Sequence, residues 1–241
     1  MAWQTWEMRH ETGSQYLSPF VPGQSSELPP VAAGTAPLPT VTVVEHDPSW
    51  PSKFQEILQK LEGYLSTSGV RYTAIEHVGS TAVPGLAAKP NIDIIIEVPD
   101  AENAAKAKEA LIHEPSPEEH YKCWGDGGIK GRISMKPHSR NEALEQSVYI
   151  INQQDSDGRM IARCHRALRD TLRMPQHEAL RAEYGRLKVH LAYSSIDGVD
   201  YGQKKNPLIR RILQAAGWTD EDIDKKECLD YRIPGDYDLP Y

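Results

Sequence analysis

Apolar positions recur along the middle of the chain with two periods, and the switches between them lay out its elements. Val41-Thr42-Val43-Val44-Glu45 is β-branched and predicts a short strand. Asp47-Pro48 then supplies a helix N-cap with proline at the first helical position. Phe54, Ile57, Leu58, Leu61 and Leu65 follow at helical spacing as one apolar stripe, closed by Gly69. Tyr72 to Val78 reads as the next strand. Ile92 to Val98 is nearly continuous in apolar residues, which predicts a central strand covered on both faces. Pro99 stops it, and Asp100 caps a helix running to about Leu111.

From Pro115 to Arg140 the chain is rich in turns, most clearly at Gly125-Asp126-Gly127-Gly128. Strands are predicted near Tyr121 to Trp124, Arg132 to Lys136 and Ser147 to Ile151. The last third is helical. Met160, Ile161, Cys164, Leu168 and Leu172 form one stripe, and Arg159, Arg163, Arg166 and Arg173 line another face. Pro175 breaks that helix; a second runs from about Gln176 to Ala192 and a third from Pro207 to Ala216. Residues 1–40 cluster Pro, Gly, Ser and Thr and predict a flexible extension. The acidic, proline-bearing residues 218–241 predict a tail. Between them lies a domain over 41–217, its sheet-containing part at 41–155 and its helical part at 156–217.

Composition narrows the classes. Hydrophobic residues make up 39% and charged residues 25% of the 241 residues, which suits a soluble globular protein. No apolar run approaches the roughly 20 residues of a membrane helix, and the N-terminus lacks the pattern of a secretory signal. A cytoplasmic protein without a membrane partner is expected. Cys123, Cys164 and Cys228 have no metal-ligand spacing and read as reduced thiols. The net charge of −7 argues against a wholly basic nucleic-acid binder. Yet twelve Lys and Arg face five Asp and Glu between Arg159 and Arg211, so a basic surface for an anionic ligand is expected there.

The chemistry concentrates in the stretch from His77 to Val98. A turn with Gly79-Ser80-Thr81 leads through a loop bearing Lys89 into a strand that carries Asp93 near its start. A close-approach glycine, two hydroxyls, a cation and a carboxylate are the parts of a site that handles phosphates or carbonyls. Asp93 stands out because a lone carboxylate in an apolar strand is costly to bury. His77 is a candidate acid or base, set against the alternative of a histidine packed at a strand end.

The block HVGSTAVPGLAAKPNIDI resembles the GrpB family. So do the run from Val41 to Trp50 and three later blocks, around Leu168-Arg169-Asp170-Thr171-Leu172, Tyr184 with Leu187-Lys188, and Tyr201 with Lys205-Asn206-Pro207. The resemblance spans roughly residues 41 to 216. It implies an α+β, nucleotidyltransferase-like fold: a mixed sheet with helices, followed by a helical C-terminal part. In that superfamily the Gly-Ser turn precedes a strand with two carboxylates on one face, which hold divalent metal for phosphoryl or nucleotidyl transfer. Here Gly79-Ser80 and Asp93 match, with twelve residues between Ser80 and Asp93, but Ile95 stands where the second carboxylate belongs. A one-metal or metal-free site is therefore expected: Mg2+ is possible, not required, with Asp93 its ligand if any. The strand that bears a histidine in the family reads Ser147-Val148-Tyr149-Ile150 here.

Certain fungal relatives of the GrpB family are arginine-containing cyclodipeptide synthases, and the resemblance implies that activity with arginyl-tRNA as a partner and no protein partner. Ser80 or Thr81 would orient or attack an aminoacyl ester, with His77, Lys89 and Asp93 completing the catalytic set. Gly79, Glu97, Arg159, Arg163, Arg166, Lys188 and Lys205 are the expected substrate-binding groups. Asp93 or Glu97 would pair with the substrate guanidinium, Lys89 would meet a phosphate or oxyanion, and the arginines from Arg159 to Arg173 would follow the tRNA backbone. Two alternatives stay open. One is a metal-dependent nucleotidyltransferase using an NTP, with Glu97 or Glu145 as its second carboxylate. The other is a non-catalytic binding module.

Overall fold

The computed structural model describes residues 39–116, 118–139 and 144–230. The predicted extension falls outside this range apart from Pro39 and Thr40. The fold is α+β, a five-stranded mixed sheet with helices on it and a helical C-terminal part. Helix α1 (Trp50–Thr67) opens the domain and packs Phe54, Ile57, Leu61 and Leu65 inward. Strands β1 (Ala74–Val78) and β2 (Asn91–Val98) run antiparallel, and helix α2 (Ala101–His113) follows, its N-terminus capped by the Asp100 carboxylate, which accepts from the Asn103 N–H. Strands β3 (Tyr121–Cys123), β4 (Arg132–Pro137) and β5 (Glu145–Asn152) complete the sheet in the order β1-β2-β5-β4-β3. Only the β2–β5 pair is parallel.

Alternation along β2 divides its side chains between two layers. Ile92, Ile94, Ile96 and Val98 join the large core under α1 and α2. Asp93, Ile95 and Glu97 point to the other face, where Ile95 packs with Val78, Ile151 and Ala162 of helix α3 (Ser156–Arg173). Burial on both faces is the reason the strand lacks polar alternation. The helical part continues through α4 (Glu178–Ser194), a short α5 (Gly198–Gln203) and α6 (Asn206–Ala215). Val83 and Leu86 of the β1–β2 loop pack with Leu172, Tyr184, Leu208 and Ile212, so this loop is held by the helices as well as by the sheet.

Two expectations change. Val41 to Glu45 makes a single antiparallel bridge, Val44 to Ala88, because the segment lies against the β1–β2 loop rather than a sheet edge. The predicted tail starts with a further helix, α7 (Asp220–Asp230), while residues 231–241 lie outside the described range. Its acidic outer face hides the pattern, but Ile223 is fully buried and packs with Trp218, Cys164 and Leu213.

Candidate functional site

The β1–β2 loop is shaped by contact with Asp93. Gly79 has φ 73°, and a Cβ there would run into the Asp93 carboxylate, so only glycine meets both demands. The chain then makes a 3-10 turn over Ser80–Ala82, and the Arg173 guanidinium donates to the Ala82 carbonyl at 2.7 and 2.9 Å, tying the turn to α3. Gly79, Ser80 and Asp93 open onto a cavity of about 230 Å³ between the sheet and the helices. Its polar wall is completed by Arg132 from β4, His165 and Arg169 from α3, Tyr184 from α4, Lys205 at the start of α6, and Lys226 and Asp230 from α7. Its apolar wall includes Val83, Ile129, Ile161, Leu168, Leu172 and Ile209.

Burial sets the protonation states. The Asp93 Oδ1 accepts from Asn91 Nδ2 at 2.7 Å and from the Tyr149 hydroxyl at 3.3 Å. Burial nonetheless pushes its carboxyl up to about 6, against the attraction of Lys205. The Lys205 amine is pushed down to about 8 by the same burial, with Asp93 holding it up. Both are charged between those values, each favouring the charge of the other across the cavity. Burial brings His165 down to about 4, helped by Arg132, so its imidazole is neutral; its ring stacks on Tyr149 with centroids 5.9 Å apart. The Tyr184 phenol is raised by burial and stands on the cavity wall beside Ser80. Behind it Lys188 is 2% exposed, its Nζ lacks a hydrogen-bond partner and lies 4.7 Å from the Tyr184 ring centre. Burial and then Lys205 hold this amine well below its usual range.

The structure brings Gly79, Ser80, Asp93 and Lys205 together, with Lys188 one layer behind. Other expected groups stand elsewhere. Thr81 donates its one hydroxyl proton to the Asn91 carbonyl at 2.9 Å and so accepts from His77 Nε2 at 3.0 Å. The His77 ring stacks on Phe54, and burial holds it down at about 4. These two residues brace the loop from beneath the cavity. Lys89 pairs with Glu145 at 2.7 Å outside the cavity wall.

Glu97 is bound to Arg166 at 2.7 Å, and the same guanidinium meets Glu76 at 2.6 Å. Arg169 pairs with Glu76 at 2.9 Å and with Asp170 at 2.7 Å. Arg163 pairs with Asp222 and covers Trp218, and Arg159 donates to the Gln153 carbonyl. The arginine face expected to follow a tRNA is therefore used to hold α3 to the sheet and to α7. Arg132, His165, Lys226 and Asp230 were not singled out from the sequence. Only their spatial convergence marks them, except that Arg132 alternates into the same face as Tyr149.

A divalent metal is not matched by this donor set. Ile95 lies in the apolar layer, Glu97 is committed to Arg166 and Glu145 to Lys89. Among the described residues no group of three or more His, Cys, Asp or Glu is placed to hold a metal. Asp93 shares its cavity with ammonium and guanidinium groups instead, which suit an anion or a polarised carbonyl.

A family model described as "GrpB protein" matches residues 40–215. The chain is 27% identical over 189 residues to UPF0157 protein BH1888 of Halalkalibacterium halodurans, covering 75% of this chain and 84% of that protein. It is 29% identical over 177 residues to UPF0157 protein YqkA of Bacillus subtilis, covering 73% of this chain and 47% of that protein. The crystal structure of conserved protein GrpB from Enterococcus faecalis superposes with a TM-score of 0.57 at 27% identity, covering 76% of this chain and 98% of that one. Helix α7 lies beyond the matched segment.

Proposed function

The chain belongs to the GrpB family, and from that premise we propose that it is an aminoacyl transferase that joins arginine and a second amino acid, taken from aminoacyl-tRNAs, into a cyclic dipeptide. The observation that carries this reading is a cavity hydroxyl, Ser80, beside Asp93 and the Lys205 ammonium; metal-dependent transfer needs a second carboxylate on the strand of Asp93, where Ile95 and the Arg166-bound Glu97 stand instead. Nothing in the cavity favours an NTP and a metal in the same way.

In the proposed reaction the Ser80 Oγ attacks the ester carbonyl carbon of the first aminoacyl-tRNA. Its proton passes to the Tyr184 hydroxyl, which gives its own proton to the departing ribose oxygen. A phenol whose ionisation is suppressed by burial serves as such a relay without becoming a phenolate. Lys205 faces the oxyanion in place of Lys89, which is paired to Glu145. The amine of the second aminoacyl group then gives a proton to Asp93 as it attacks the acyl-serine, and Asp93 returns that proton to the departing Ser80 Oγ, which forms the first amide and restores Ser80. Attack of the remaining amine on the second ester closes the ring, Asp93 passing the amine's proton on to the departing ribose oxygen and so releasing the second tRNA. Glu97 is committed to Arg166; Asp230, which also holds the Lys226 ammonium, is the second carboxylate on the cavity wall and would take the substrate guanidinium in exchange for that partner.

The test is mass spectrometry of products formed by the full chain from a mixture of charged tRNAs. An arginine-containing cyclic dipeptide is expected, reduced at least 100-fold by Ser80→Ala and by Asp93→Asn. Undiminished product from both variants, or NTP turnover with no product from charged tRNA, overturns the reading.

A further inference from the structure

The β3–β4 ribbon carries a basic, aromatic face that no part of the fold requires. Lys122 and Lys136 are direct cross-strand partners, so two ammonium groups stand side by side on one face. Like charges at such a pair destabilise a ribbon. Neither lysine forms an ion pair among the described residues. Trp124, two positions past Lys122, is 59% exposed, and the Lys136 Nζ lies 5.2 Å from its ring centre. At the other end the rings of His120 and His138 stack with centroids 4.4 Å apart, and the His138 N–H donates to the His120 carbonyl at 2.7 Å. Tyr121, Ile133 and Met135 point the opposite way and are buried in the main core, so strand alternation forces the cationic and aromatic groups onto the outer face.

That face is also the face of the cavity. Ser134 pairs with Tyr149, whose hydroxyl reaches Asp93, and Arg132 follows on the same side of β4. Lys136 on β4 thus sits two strand spacings from the strand of Asp93, and Lys122 on β3 sits three, about 10 and 14 Å across the sheet. The arginines of α3 are occupied within the protein, which leaves this ribbon as a cationic approach to the cavity along the sheet.

We propose that the outer face of the β3–β4 ribbon binds single-stranded RNA, with Lys122 and Lys136 on successive phosphates and a base stacked on Trp124, so that the strand's 3′ end is directed towards the cavity. Cation pairs with an interleaved exposed indole match a backbone and a base together, whereas an acidic peptide would leave the indole unused. The inference rests on the aminoacyl-tRNA reading only for the identity of the RNA.

Fluorescence anisotropy of the full chain with a labelled eight-nucleotide RNA and with an uncharged tRNA, at several salt concentrations, tests it. The double variant Lys122→Gln/Lys136→Gln is expected to bind at least tenfold more weakly, with the slope of log affinity against log salt reduced by about 1.4. Trp124→Ala should weaken binding by about tenfold, and Arg163→Gln should leave it unchanged. Thermal unfolding checks the fold, which the lysine substitutions leave intact because they remove a repulsion. Unchanged RNA affinity in the double variant, or equal affinity of the parent for a polyglutamate peptide, overturns the proposal. The two readings fail separately. RNA binding that depends on the ribbon without product from charged tRNA removes the transferase reading and keeps the surface; dipeptide formation with an unaltered KM for charged tRNA in the double variant removes the surface and keeps the transferase.

Discussion

Asp93 and Lys205 pull stability and function in opposite directions. An Asp93 carboxyl held at about 6 keeps its proton in the folded state over a range where the unfolded chain, near 3.8, has lost it. The folded state then binds more protons, so stability falls as pH rises from about 4 to 6 and stays lower above that. Lys205, pushed down to about 8, has the opposite course: the unfolded chain binds more protons between 8 and 10.5, and stability rises there. Asp93→Asn is therefore expected to be more stable than the parent at pH 7, by something on the order of 2 kcal/mol, with the difference gone below pH 4. Urea titrations at pH 3.5 and 7 check this, and a variant less stable at pH 7 would contradict it. For turnover, kcat/KM should rise as Asp93 ionises near 6 and decline as Lys205 loses its proton near 8. A profile flat from pH 5 to 9 would separate both groups from the reaction. The position of Asp93 in an apolar strand was legible in the sequence, and the structure places it on the cavity wall. The bracing roles of His77 and Thr81 were not legible, since a hydroxyl facing a ligand and one facing a carbonyl look alike in sequence.

At the scale of elements, α3 is a clamp. Arg166 bridges Glu76 and Glu97 on neighbouring strands, Arg169 adds Glu76 and the His77 carbonyl, and Arg173 holds the turn that carries Ser80. Glu97, with 10% of its side chain exposed, sits deepest in this network. Glu97→Gln should weaken the Arg166 contact and cost about 2 kcal/mol, read as a lower urea midpoint with an unchanged slope. Were Arg166 instead a substrate contact, the same substitution would alter KM and leave the midpoint alone. The helical stripe and the arginine face of α3 were both visible as periodicity. Which partner the arginines meet was not, because Glu76 and Glu97 are remote in sequence and adjacent only through the β1–β2 pairing.

Across the whole molecule, the sheet holds Asp93, the helical part brings Tyr184 and Lys205 over it, and α7 closes the cavity with Lys226 and Asp230. A tail would tolerate substitution, whereas a closing helix would not. Ile223→Ala should cost about 2–4 kcal/mol and lower the thermal midpoint by several degrees; a shift within error would return α7 to the status of an appendage. The hydrophobic pattern of α7 was too sparse to read, since three charged residues open the helix and its few buried positions fall on one narrow side.

Strand, helix and turn order came from local periodicity and from the HVGST…KPNID block, since backbone preference and side-chain alternation are properties of short segments. The family was legible for the same reason, whereas the contact of Gly79 with Asp93 was not: the glycine was expected to approach a ligand, and only the β1–β2 pairing sets it against the carboxylate. The charge pairings were decided only by tertiary structure. A guanidinium acts on a ligand or on its own fold according to which carboxylate the strand register brings within about 3 Å, and register is a property of the assembled sheet. Packing likewise selected Lys205 over Lys89 for the cavity and left the β3–β4 ribbon as a cationic face open to solvent.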